Sequence, residues 1–329
     1  MNKRRNRCKL DKNRFTPPAS SEIINLKKKK KAEGFKKKFN LTNEKLKSVY
    51  TSLAFQGPSF LGVGIFFILP FFVVIFFSLV SSPINPKFVF LKNFTNLFKN
   101  SAFLLAGKNT LLFSLIAVPM AVVLSLCLAL LLEARIPMKS QFRTFFLSPM
   151  MVPVASVVLV WQVLFSNMGV LNEFLAVFGA DKIDWLKSDY CLLVVMTLFL
   201  WKNLGYNMIL FMSALANIPK ELLEVADVEG ASESYKFFQI KLRYLSPTVL
   251  FVTILSLINS FKVFREVYLL TGDYPYSGLY MLQHFMNNTF RSLDYQKLSA
   301  AAVIMAIVMV IIIAVLFKVE DSFGKDVEG

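Results

Sequence analysis

The chain has 329 residues, 55% of them hydrophobic, and a formal net charge of +16. An ordinary globular domain is about 45–50% apolar, so this composition excludes both a disordered chain and a soluble single domain; three cysteines, Cys8, Cys127 and Cys191, exclude a disulfide scaffold. The charge is local: residues 1–50 hold 17 basic and 4 acidic residues, a balance of +13, which leaves only +3 for residues 51–329.

Residues 1–57 read as a basic tail without a fold of its own. Its lysine runs Lys27–Lys31 and Lys36–Lys38 suit anionic lipid headgroups at the membrane surface. No aromatic-interleaved module accompanies them, so nucleic acid is not the expected partner. The tail is too long for a secretory signal peptide and the first span has no small-residue cleavage site, so that span is expected to remain as an anchor.

A membrane helix needs about 20 apolar residues to cross roughly 30 Å of hydrocarbon. In chain order the charge-poor runs are Phe60–Val80, Asn109–Leu132, Thr144–Asn172 (densest near Val152–Phe165), Tyr190–Ala216 (interrupted by Lys202), Tyr244–Phe261 and Ser299–Phe317. The expected fold is therefore all-α: a polytopic membrane protein with six transmembrane helices over residues 58–318 and a short tail at 319–329. With the N-terminus inside, the inside segments carry 26 Lys+Arg and the outside loops 8; without the tail the comparison is 9 against 8. The tail thus sets the orientation, and both termini are expected to be cytoplasmic.

The segment between spans four and five, residues 218–247, carries the most information. Pro219 suits a first helical position. Glu221 and Glu224 favour a helix N-terminus. Leu222, Leu223, Ala226 and Glu229 follow the spacing of a short amphipathic helix, and Gly230 is placed to end it in a left-handed cap. A second helix is expected from Ser232 towards Pro247.

Glu224-x-Ala226-x-x-x-Gly230-Ala231, with Phe238, Ile240 and Pro247 downstream, resembles the EAA loop of ABC-importer permeases. Ile218-Pro219 and Thr271-Gly272-Asp273-Tyr274-Pro275 narrow the resemblance to the carbohydrate branch, similar to the maltose and glycerol-3-phosphate permeases. Asn109-Thr110, Pro149, Pro153, Trp201 and Gly205-Tyr206 extend it over roughly residues 55–320. Val225 stands where the family has its second alanine, and Glu229 where it has aspartate.

The resemblance implies that Glu224, Ala226, Gly230 and Ala231 couple this subunit to a separate ATPase. It also implies a second permease subunit, two ATP-binding subunits and an extracytoplasmic solute-binding protein, with ATP and Mg held by the ATPase and no cofactor on this chain. Intramembrane polar groups usually face a cavity. Lys202, Asn203 and Tyr206 in span four and Asn259, Ser260 and Lys262 in span five are the candidates for binding a sugar, and the resemblance places the substrate between these same two helices. Arg265 and Glu266 approach the outer surface, and Gly205 is a candidate kink. Three cations, Lys202, Lys262 and Arg265, against one anion, Glu266, point towards an anionic solute such as an acidic sugar or a phosphate ester. No G-x-x-x-x-G-K-[ST] loop, H-E-x-x-H or G-x-S-x-G occurs, so neither a catalytic nor a metal-binding role is expected. The lone His284 reads as a packed or solvated loop residue.

Overall fold

The computed structural model describes residues 47–133 and 138–324; the lysine runs of the tail lie outside them. The chain divides into two compact units at Phe71 and Phe72. In the first, residues 47–71 are helical and belong to α1 (Lys47–Leu79). The second holds α2 (Lys92–Phe98), α3 (Ser101–Glu133), α4 (Lys139–Met151), α5 (Val154–Phe165) and α6 (Val170–Val177). It continues with α7 (Cys191–Ala216), α8 (Lys220–Val228), α9 (Leu242–Lys262), α10 (Phe264–Thr271), α11 (Leu282–Arg291) and α12 (Tyr295–Gly324). Among the described residues six helical stretches are long and apolar enough to cross a membrane. The expected boundaries at 57/58 and 318/319 fall inside α1 and α12.

α3 is the hub of the second unit. Its small residues Ala106, Ala117, Ala121 and Ala129 are fully buried, which lets neighbouring backbones come close where no hydrophobic effect separates helix from lipid. One end of α3 packs with Leu97, Leu282, Phe285, Ala300 and Ala301. Its middle meets Val195, Phe199 and Val267. Its far end meets Phe211, Leu215, Leu245 and Val252.

The third span differs from its expected single run. It breaks at Val152–Pro153, because Pro153 is extended (φ −56°, ψ 139°) and proline pushes the residue before it out of the helical region. The two pieces cover α7 in succession. α5 lays Val157, Val158 and Trp161 on Val194 and Leu198, whereas α4 meets α7 at Gly205. Beyond them α6 continues the apolar stretch Val154–Val177 after a short turn. The Asn172 side chain donates to the carbonyls of Ser166, Asn167 and Ile183 and accepts from the Ile183 N–H and Trp185 Nε1.

The fifth span is longer than its apolar run. A turn at Glu233–Tyr235, a π-turn at Lys236–Lys241 and α9 follow one another without a break, and Pro247 lies inside α9. The expected second loop helix and the span are thus one rod.

Candidate functional site

A cavity of about 400 Å³ opens inside the second unit between α7, α9, α10 and the break at Val152–Pro153. Helical periodicity brings its polar groups together. Lys202, Asn203 and Tyr206 share one face of α7, and Asn259, Lys262 and Glu266 recur at three- and four-residue steps along α9 and α10. Lys202 Nζ donates to Glu266 Oε1, joining α7 to α10. Asn259 Nδ2 donates to Asn203 Oδ1 (2.8 Å), and Asn203 Nδ2 donates back to the Phe199 carbonyl (2.7 Å). The second oxygen of Glu266, Oε2, is buried and has no hydrogen-bond partner. Lys262 and Arg265 line the same cavity without an acidic partner among the described residues.

Five of the six residues singled out as sugar-binding candidates therefore line one cavity. Ser260 does not. It sits one position round the helix from Asn259, is 1% exposed, and shares a 2.9 Å hydrogen bond with Ser114 on α3. Together with Asn207–Ser256 (2.9 Å) that bond ties α9 to its neighbours. Glu266, near the end of the fifth helical stretch, is 5% exposed and turns into the cavity. The signal for it was in the sequence, since Glu266 stands four residues after Lys262 and so on the same helix face.

Gly205 serves closeness rather than a kink. A Cβ there would lie 1.8 Å from the Phe146 carbonyl oxygen, so the backbones of α4 and α7 touch one residue from Tyr206.

At one end of the bundle, α8 begins after Pro219, which is the N-cap residue rather than the first helical one. Gly230 has φ +77°. Its N–H reaches the Asp227 carbonyl (3.1 Å), and the Ala231 N–H reaches that of Ala226 (2.9 Å), the paired bonds of a Schellman cap. Ser232 Oγ accepts from the Tyr235 N–H (3.2 Å) and starts the next helical turn. Leu223 and Ala226 face the bundle, while Glu224 is exposed. Val225 is 57% and Val228 89% exposed. This differs from the amphipathic stripe expected from the sequence: Leu222 and Glu229 point outward. A short capped helix results, whose apolar residues Leu222, Val225 and Val228 face outward and are uncovered among the described residues.

At the other end the Thr271–Pro275 turn is held by its own network. Asp273 pairs with Arg291 (2.5 Å), which also donates to the Tyr268 hydroxyl (2.8 Å), and Asn288 donates to the Asp273 carbonyl (3.1 Å). His284 is fully buried against Phe264. Burial pushes its imidazole down to about 4, against a smaller opposing pull from Asp273. Among the described residues no group of three or more His, Cys, Asp or Glu side chains is placed to hold a metal ion.

The family model described as "Binding-protein-dependent transport system inner membrane component" matches residues 121–328. The arabinooligosaccharides transport system permease AraP of Halalkalibacterium halodurans is 27% identical over 79% of this chain and 86% of its own length. The sulfoquinovosyl glycerol permease SmoG of Agrobacterium fabrum is 30% identical over 74% of this chain and 80% of its own. Among solved structures, a bacterial ABC transporter involved in import of the acidic polysaccharide alginate superposes with a TM-score of 0.73. That match, at 20% identity, covers 85% of this chain and 98% of the other, and it shares the fold.

Proposed function

The chain belongs to the family of binding-protein-dependent transport system inner membrane components, and from that premise we propose that it is a permease subunit importing a sugar or oligosaccharide. The observation that carries the reading is the cavity. Lys202, Asn203, Tyr206, Asn259 and Lys262 bring donors, acceptors and one aromatic face to a single space inside an apolar bundle. Such groups suit sugar hydroxyls, and intramembrane polar residues are costly unless they serve a pathway. The relatives' names, arabinooligosaccharides and sulfoquinovosyl glycerol, point to the same cargo class.

In this reading α8 is the coupling helix. Its exposed residues Glu224, Val225 and Val228 sit in a groove of a separate ATPase; Ala226, expected among the coupling residues, is 7% exposed and seats the helix on the bundle, while Gly230 and Ala231 keep its end rigid. ATP and Mg are held by that partner. A second permease subunit, two ATPase subunits and an extracytoplasmic binding protein complete the assembly. Both termini and α8 face the cytoplasm, as the 26-to-8 distribution of Lys+Arg suggests. Closure of the ATPase pair moves α8, and the helices attached to it open the cavity to the binding protein's side.

A specific observation favours an acidic cargo. Lys202 is already neutralised by Glu266, yet Lys262 and Arg265 add two positive charges with no acidic partner among the described residues. The test is ATP-dependent uptake by the reconstituted complex, offering neutral and uronate-containing oligosaccharides side by side. ATP-dependent uptake that Asn203→Ala and Asn259→Ala both abolish supports the site. Uptake unaffected by either removes it, and transport of neutral sugars alone removes the acidic reading.

A further inference from the structure

The join between α8 and the fifth span holds an arrangement that the sugar cavity does not use. Of the nine residues of α8 only Leu223 and Ala226 face inward, so apolar packing holds this helix lightly. Lys236, the first residue of the π-turn, supplies a second hold. Its side chain is 9% exposed, and its Nζ lies 2.5 Å from Asp227 Oδ1 on α8 and 2.5 Å from Glu233 Oε1. Lys241, the last residue of the same turn, reaches the other way: its Nζ is 3.1 Å from Glu133 Oε2 at the end of α3. The turn between them is closed by the Leu242 N–H bonding the Phe237 carbonyl, the wider i→i+5 ring that often marks functional positions in helices.

We propose that the π-turn Lys236–Lys241 is a two-pin linkage, in which Lys236 pins the coupling helix and Lys241 pins the second span. A displacement of α8 is then delivered to α3 and α9 together instead of being absorbed in the 229–232 turn. A helix carried by a moving partner transmits only what its attachments resist. Here the covalent attachment of α8 runs through the 229–232 turn; the Lys236 pin bridges that turn, and the Lys241 pin ties the helix beyond it to α3. Lys236 and Lys241 act as positioning residues, since neither lines the cavity. The inference rests on the reading of α8 as the helix that docks the ATPase.

The test uses the assembled complex with Cys8, Cys127 and Cys191 replaced and spin labels at Val228→Cys and Leu131→Cys, both exposed positions on α8 and α3. ATP is the probe, so the cargo need not be known. With both pins intact the distance distribution between the labels stays narrow and keeps its width when ATP is added. Lys236→Met broadens it at least twofold in the presence of ATP, and Lys236→Arg restores it. Lys241→Glu broadens it likewise, and adding Glu133→Lys to that variant restores it by reversing the pair.

An unchanged width in Lys236→Met, or no rescue by Lys236→Arg, overturns the linkage. Failure of the underlying reading is separable through the mobility of the Val228 label alone. If binding of the ATPase subunit does not immobilise it, α8 is not the docking helix. If it is immobilised while Lys236→Met leaves the distances unchanged, only the linkage falls.

Discussion

Lys202 and Glu266 are desolvated charges whose cost their pairing offsets, and that makes them testable together. Removing one member of a buried pair strands the other, at roughly 3–5 kcal/mol. Lys202 keeps 20% of its side-chain surface and Glu266 only 7%, so solvent softens the penalty towards the lower figure. Glu266→Ala should therefore lower the stability of the detergent-solubilised complex by about 3 kcal/mol, and Lys202→Met combined with Glu266→Leu should lose clearly less. Thermal unfolding of the wild type and the two variants checks this; a double variant that loses as much as Glu266→Ala, or more, would show that the two groups do not couple. The same residues mark how far single positions are legible. Residue type and face identify Lys202, Asn203, Tyr206, Asn259 and Lys262, since a 3.6-residue period decides what points together. Ser260 enters by adjacency alone and turns to Ser114. Glu266 reads as peripheral only when depth is judged along the axis and not round it. Gly205 is visible as a glycine, but the Phe146 carbonyl that requires it belongs to a helix that no local pattern places beside it.

Elements are legible where one local rule suffices, and less so where two pieces of chain have to meet. The Gly230 cap needs only its own backbone: φ is +77° and no atom lies within 4 Å of where a Cβ would stand, so a side chain there meets strain but no clash. Gly230→Val should cost about 1–2 kcal/mol, the left-handed penalty of an L-residue. Because the cap sets where α8 ends, the variant should also hydrolyse ATP with reduced uptake; normal uptake per ATP would argue against the docking role. Pro247, by contrast, reads like the end of a loop helix and lies within α9, because the π-turn and the turn before it feed straight into the span. The loop around α11 gives a pH test. His284 has its folded value lowered to about 4 from an ordinary 6.5, so it is neutral in the fold while the unfolded chain takes up a proton first. Its contribution is complete above about pH 6.5, falls as pH drops, and is gone below about pH 4. Between pH 7 and pH 5 the loss is on the order of 2 kcal/mol. Arg291, which Asp273 and Tyr268 hold above its ordinary value, stays charged over that window. The unfolding midpoint of the wild type should fall across this range, and His284→Phe should flatten that part of the slope.

At the scale of the molecule, the two features that define the chain are separable. Six apolar stretches make a bundle whichever way it is inserted, since hydrocarbon thickness and backbone hydrogen bonding do not distinguish the two sides. Orientation is a matter of cation placement, and the bundle itself is almost indifferent: 9 Lys+Arg against 8 once the tail is set aside. The tail contributes 17 more in its first fifty residues, enough to decide the insertion under the positive-inside rule. A variant with the lysines of Lys27–Lys31 and Lys36–Lys38 replaced by glutamine keeps all six spans but loses eight of those charges. It should still insert, with a fraction of molecules reversed. A single cysteine at Tyr235, 58% exposed in the turn that follows α8, reports the side directly. In intact cells an impermeant thiol reagent should leave it unlabelled in the wild-type tail background and label it in part of the glutamine variant. Full protection in both would mean that the loops, and not the tail, hold the orientation. The side of the membrane on which α8 lies would then be set by the bundle itself.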